Sequence, residues 1–255
     1  YTRYRMNDAV KKVYDFVYND FCDWYIEFSK SRFYGVDQDD RSIAQSISLH
    51  VLKNIIKLLH PYTPYITEEI WSHIKSDKDS LLIQTKWPEF DKNKIDKNIE
   101  SEIILIMEVI SKIRNIRLNL GVSPKKTAKL FIRGNEKFAK IIKKHTEHLD
   151  RLVKIQEVEL GENIEKPPQS ATAVVQNLEL FMPLSGLIDI KKEIERLQNQ
   201  INEYEGRLRS VNGKLSNPNF IQRAPSNVVE NEKKKQTDYQ NNLDKLIENL
   251  SSLKS

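Results

Sequence analysis

Residues 187–215 read LIDIKKEIERLQNQINEYEGRLRSVNGKL. Their apolar members Leu187, Ile190, Ile194, Leu197, Ile201, Tyr204, Leu208, Val211 and Leu215 alternate steps of three and four without a miss. A seam of that period keeps one face of a slightly under-wound helix turned toward a partner, which is what a coiled coil requires. Tyr239, Leu243, Leu246, Leu250 and Leu253 supply a matching seam further on. Extended backwards, that register meets Gln236 and Glu232 before Val229, so the return helix is expected to pack weakly at that end. KLSNPNFIQRAP, at 214–225, lies between the two seams, and its prolines favour a chain that folds back over one that dimerises in parallel. Residues 187–255 are therefore predicted to form a long antiparallel two-helix arm.

The tip of that arm has an unusual composition. From Gly206 through Val229 there is no acidic residue, while Arg207, Arg209, Lys214 and Arg223 are basic. Phe220 and Ile221 cannot both hide within the turn of a two-helix hairpin. Basic side chains beside a flat ring suit a folded RNA, with phosphates for the cations and a base or ribose for the ring. The alternative is that Phe220 folds back and plugs the end of the hairpin.

Charge is also uneven over the whole chain. The net charge of the 255 residues is +5, but residues 101–154 alone carry 13 Lys/Arg against 5 Asp/Glu. A polyanion is the natural partner of such a segment. Within it, Arg114 and Arg117 sit one turn apart near a helix end, and Lys125 and Lys126 follow Pro124. Helix C-termini favour cations in any case; the local charge excess favours phosphate contact.

N-terminal to the arm the pattern changes twice. Met6, Val10, Val13, Val17, Phe21, Trp24 and Phe28 form the stripe of one long helix, broken by Gly35 and the run Asp37-Gln38-Asp39-Asp40. Ile43, Ile47, Val51, Ile55 and Leu58 mark a second helix that stops before Pro61, and Thr63-Pro64 reads as the cap and first turn of a third toward Trp71. After Trp87-Pro88 a long helix runs through Ile103, Ile106, Ile110 and Ile113 to Leu120, with Gly121 as its C-cap. Ala128 to Arg133 then reads as a strand, Asn135 to about Leu149 as one basic helix, and Leu152 to Leu160 as extended chain. Ala171–Val175 and Leu178–Leu184 read as a strand pair around Gln176-Asn177. The predicted fold is mainly α: a helical bundle over 1–124, a small α+β junction unit over 125–186, and the coiled-coil arm over 187–255.

Signals for chemistry are weak. Seven glycines form no phosphate-binding loop. His145 and His148, three apart, lack a third metal ligand and read as surface histidines. Cys22 reads as a buried thiol, and a single cysteine excludes an internal disulfide or a multi-cysteine zinc site. It fits a reducing, cytoplasmic setting. No run of about 18 apolar residues is present to span a membrane. Beginning at Tyr1 inside a helical pattern, the chain is expected to be a piece of a longer protein.

RMNDAVKKVYDFVYNDFCDWYIE at 5–27 resembles the bundle helix of the valyl-tRNA synthetase family, LLHPYTPYITEEIW at 58–71 and the tryptophan–proline pair at 87–88 resemble the anticodon-binding bundle shared across class I aminoacyl-tRNA synthetases, and IRNIRLNLGVSPKK at 113–126 resembles the helix and turn that follow that bundle. PLSGLIDIKKEIERL at 183–197 and KLSNPNFIQRAPSNVVENEK at 214–233 resemble the C-terminal arm of the valyl-tRNA synthetase family. The resemblance covers nearly the whole chain, most loosely at 135–170. It implies a bundle that grips the anticodon stem-loop and an arm that leans on the outer corner of tRNA(Val), where the D and T loops meet. It further implies that the catalytic and editing domains, ATP and Mg use, and the first bundle helix all lie outside this chain. This region would then hold no cofactor and be inactive alone, acting as a monomer off the membrane. The expected RNA contacts are Arg114, Arg117, Lys125, Lys126, Arg207, Arg209, Lys214, Asn217, Phe220 and Arg223. Ser29-Lys30-Ser31 is similar to the end of a class I ATP loop, but its place at the end of an amphipathic helix marks a chance match. A protein-docking hairpin, or another class I synthetase, are the alternative readings.

Overall fold

The computed structural model describes residues 5–76 and 80–254. Two compact units result, residues 1–99 and 100–255.

The first unit opens with α1 (Met6–Asp15), passes through a π-helical stretch at Phe16–Ile26, and continues as α2 (Glu27–Phe33), with helical dihedrals across both junctions. The predicted single helix is thus continuous, but its middle eleven residues, FVYNDFCDWYI, wind wider than an α-helix. Phe21–Tyr25 and Trp24–Phe28 stack along it, each pair with centroids 5.7 Å apart. Cys22, expected inside, is exposed; Phe21 beside it takes the inward position, and successive helical side chains do not share a face. The acidic run that ends the pattern turns out to start the next helix: Asp37 caps α3 (Gln38–Leu59), accepting from Asp39 N at 2.9 Å and Asp40 N at 3.1 Å. Arg32 on α2 holds Asp40 through Nε at 2.9 and 3.0 Å. α4 (Pro64–Ile74) begins with proline at its first position, as expected. Thr63, however, does not cap it; its hydroxyl donates back to Leu59 O at 3.3 Å. Trp71 is the centre of the local core, packed with Ile56 and Leu82 and bordered by Leu52, Ile70 and Ile74.

α5 (Lys97–Asn119) leads into the second unit and buries Leu105, Ile106, Val109, Ile110, Ile113 and Ile116. It ends as the sequence predicts. Gly121 has φ +60°, its N–H reaches Leu118 O at 3.3 Å, and Val122 N reaches Arg117 O at 2.8 Å, the paired bonds of a Schellman turn. Four strands follow, β1 (Ala128–Arg133), β2 (Ile155–Gly161), β3 (Ser170–Val175) and β4 (Leu178–Pro183), in the order β2-β1-β4-β3. β1 and β2 are parallel, so a crossover is needed; it consists of α6 (Glu136–Lys144) and α7 (Thr146–Val153). The sequence suggests one helix here, but the backbone leaves helical geometry at His145 (φ −112°, ψ 18°). β3 and β4 form the expected hairpin, with Gln176 left-handed at φ +51°.

That break at His145 has a partner. His145 is 8% exposed and its Nε2 lies 2.8 Å from Glu102 Oε1, the same oxygen that accepts from Lys144 Nζ at 2.7 Å. His148 stacks on His145 at 5.6 Å and is half-buried. The two are not surface histidines, and no group of three or more metal-ligating side chains occurs among the described residues. Lys144 first and His145 second hold the Glu102 carboxyl below its usual range, while burial, then the charges of His145 and Arg151, push His148 down. In both groups the unfolded chain binds the proton more tightly, so acid favours unfolding. His148 is expected to withdraw stability as pH falls below 6.5, and Glu102 as pH falls from 4.5 through its lowered folded value. Glu102→Ala, which strips a buried ring nitrogen of its partner, is expected to cost about 1–3 kcal/mol in chemical denaturation at neutral pH.

α8 (Ile190–Leu215) and α10 (Ser226–Lys254) form the arm, with a six-residue helix, α9 (Pro218–Arg223), at its tip. Cross-contacts run in opposite chain directions, Tyr204 with Tyr239, Asn212 with Gln236, and Lys214 with Glu232, which makes the pair antiparallel. Leu197, Val211, Leu243 and Leu253 are buried along the seam. Toward the tip the seam is polar, as its register predicts, but it is not weakly held. Gln236 Nε2 donates to Asn212 Oδ1 at 2.7 Å, and the 5%-exposed Glu232 takes Lys235 Nζ at 2.7 Å and Lys214 Nζ at 3.3 Å. Among the described residues no helix is long and apolar enough to cross a membrane.

Candidate nucleic-acid interface

The tip is a helical turn, α9, between the two arm helices. Pro218 opens α9, where its missing N–H costs nothing, and Asn217 O accepts from Phe220 N at 3.1 Å and Ile221 N at 3.2 Å. Phe220 is half-buried, while Ile221 is 48% exposed and offers an apolar group to solvent.

The tip cations divide into two kinds. Arg207 pairs with Glu203 one turn back and spreads over the rings of Tyr204 and Tyr239, 5.4 and 6.0 Å from their centroids. Lys214 is held by Glu232. The acid-free window in the sequence therefore ends just short of two acids that reach into it, Glu203 and Glu232. Arg209 is exposed and forms no ion pair among the described residues. The side chain of Arg223 lies outside the described residues.

The second predicted cluster, after α5, is also divided. Arg114 is exposed and Lys125 is exposed, Arg114 with contacts of its own. Arg117 is 6% exposed, and its guanidinium donates to Ser123 O at 3.0 Å and to Lys126 O. Lys126 sends its own ammonium to Gly186 O and Leu187 O, each at 2.9 Å. Asn217 is exposed at the arm tip and likewise has contacts of its own.

A surface that sequence inspection missed lies in the first unit. Lys57, His60, Pro61, Ile83, Lys86 and Trp87 border a depression of about 330 Å³. His60 Nδ1 lies 2.8 Å from Thr67 Oγ1, whose hydroxyl also has Thr63 O within reach at 2.8 Å. Trp87 is 49% and Phe90 75% exposed nearby in the chain. Two lysines beside an exposed indole can take phosphate and base together. The Trp87-Pro88 dipeptide was the available signal; Lys57 is thirty residues away in sequence.

A model of the anticodon-binding domain of tRNA ligases matches residues 1–132, and a model of the valyl-tRNA synthetase tRNA-binding arm matches residues 189–254. The arm match coincides with α8, α9 and α10, the bundle match with the first unit, α5 and β1. The chain belongs to the family of tRNA-ligase anticodon-binding domains. Similar proteins include the valine–tRNA ligase of Oceanobacillus iheyensis, 35% identical over 99% of this chain and 28% of the relative, and that of Fusobacterium nucleatum, 37% identical over 98% and 28%. The valine–tRNA ligase of Enterococcus faecalis is 34% identical over the full chain and 29% of its own length. The chain thus spans less than a third of these relatives. Strands β2, β3 and β4 lie between the two matched segments in sequence.

Proposed function

We propose that this chain is the tRNA-gripping region of a valine–tRNA ligase. Its bundle takes the anticodon stem-loop and its arm takes the outer corner of tRNA(Val), while valine activation with ATP and Mg, and editing, belong to the rest of the parent enzyme. The reading rests chiefly on the coincidence of the arm family match with the α8–α10 hairpin. The groove beside Trp87 and the exposed Arg209, Lys125 and Ile221 offer the chemistry it needs. On this reading the region carries no cofactor and no catalytic residue, acts as a monomer, and works in the cytoplasm with its parent's catalytic domain.

Ribonuclease footprinting of tRNA(Val) with this chain is the test. Protection is expected at the anticodon loop and at the D–T corner, with a non-cognate tRNA protected less in the anticodon. Protection confined to neither region would overturn the proposal. The neutralised tip cations and exposed Ile221 also favour a second reading, a hairpin that docks a protein. A concentration-dependent dimer with no RNA protection would support that instead.

A further inference from the structure

Arg117 and Lys126 are expected among the RNA contacts, yet Arg117 Nη2 and Lys126 Nζ both donate to the chain's own carbonyls. Their bonds form a sequence. Arg117 stands at the end of α5, a helix fixed by its buried face. Its guanidinium crosses the Schellman turn to take Ser123 O at 3.0 Å and Lys126 O. Lys126 then reaches 60 residues along the chain to Gly186 O and 61 to Leu187 O. Those two carbonyls immediately precede the arm: Leu187 N and Ile188 N bond back to Leu184 O, Gly186 is left-handed at φ +75°, and Asp189 caps α8 through Lys192 N at 3.2 Å.

We propose that Arg117 and Lys126 form a joint that fixes the direction of the arm at its root, so that they act on RNA binding by positioning rather than by touching phosphate. An arm of 26 residues spans about 39 Å, so a small rotation at its root displaces the tip by many ångströms. A cation that satisfies two turn carbonyls at the pivot limits that rotation and lowers the ordering cost of binding. The functional half of the inference rests on the RNA-binding reading; the mechanical half does not.

The two halves are separated by experiment. Spin labels at Lys137→Cys on α6 and Lys234→Cys on α10, in a Cys22→Ser background of the 255-residue chain, report the distance from the crossover to the arm without RNA. Lys126→Met keeps the length of the side chain and removes its donors at an exposed position, so folding is expected to survive. The distance distribution is expected to broaden, and Lys126→Arg, which retains donors, to restore it. An unchanged distribution in Lys126→Met overturns the joint. With tRNA(Val), Lys126→Met is expected to bind about threefold to tenfold more weakly with the salt slope preserved. A slope lower by about one marks a lost phosphate contact and overturns the positioning role. Broadening with unaltered RNA affinity supports the joint and counts against the arm as an RNA contact.

Discussion

Trp71→Ala is expected to cost the first unit about 3–5 kcal/mol, the range for removing a buried aromatic from a packed core. Trp71 is 4% exposed and contacts Ile56 and Leu82, themselves 2% and 3% exposed, so little of the vacated volume can be refilled by water. Its indole N–H also ties the chain after α4 by donating to Ser80 O at 2.9 Å. Glu68 holds the next segment, accepting from Leu82 N at 3.1 Å and Ile83 N at 3.2 Å. Lys53 and Lys57 lie over the ring at 5.3 and 5.9 Å from its centroid, adding a cation–π component. Hydrogen exchange at the α3 and α4 amides is the measurement, since it reads this unit separately from the rest of the chain. Trp71→Phe retains most of the apolar volume but loses the bond to the carbonyl of the exposed Ser80, for an expected loss of about 0.5–1.5 kcal/mol. Equal exchange in wild type and Trp71→Ala would show that the ring does not hold this core. Because Lys57 and Ile83 border the groove beside Trp87, loss of Trp71 is also expected to deform the surface proposed for the anticodon loop.

Which parts were legible in the sequence follows from the range of the interactions that set them. The arm was readable because a heptad seam places nine apolar residues by one local rule between Leu187 and Leu215. Gly121 was readable because a helix end with a left-handed residue leaves a local mark. The hairpin at Gln176-Asn177 is equally local. The π-helical stretch was not readable: in FVYNDFCDWYI, apolar and aromatic residues are dense enough to satisfy several periods, so spacing does not select one. At the break, His145 meets Glu102, 43 residues upstream, a contact that local spacing does not show. The candidate site suffered most from this limit. A basic residue after a helix end looks the same in sequence whether it meets phosphate or a carbonyl, and Lys126 finds its carbonyls 60 residues away. Likewise, Lys214 looks unopposed until the return helix brings Glu232 across, 18 residues later.

Raising monovalent salt from about 50 to about 200 mM is expected to weaken tRNA(Val) binding roughly a hundredfold, if about four phosphates are neutralised across groove and arm. Each phosphate contact contributes close to one unit to the log–log slope, so the slope counts contacts independently of total affinity. Glu232 makes that count testable at the tip. Its carboxylate is held below the usual range by Lys235 first and Lys214 second, and at neutral pH it cancels charge that would face RNA. Glu232→Gln preserves the shape of the side chain while releasing both lysines. If the tip meets phosphate, the variant is expected to bind about threefold more tightly at low salt, with a slope steeper by about one. Arg209→Ala, which removes a tip cation with no ion pair among the described residues, is expected to shift the slope the other way by a similar amount. Opposite shifts from an acid and a base at the same end of the arm cannot arise from general destabilisation, because both substitutions would then weaken binding. Two unchanged slopes would place the RNA away from the tip and leave Glu232 and Lys214 as a device for closing the hairpin.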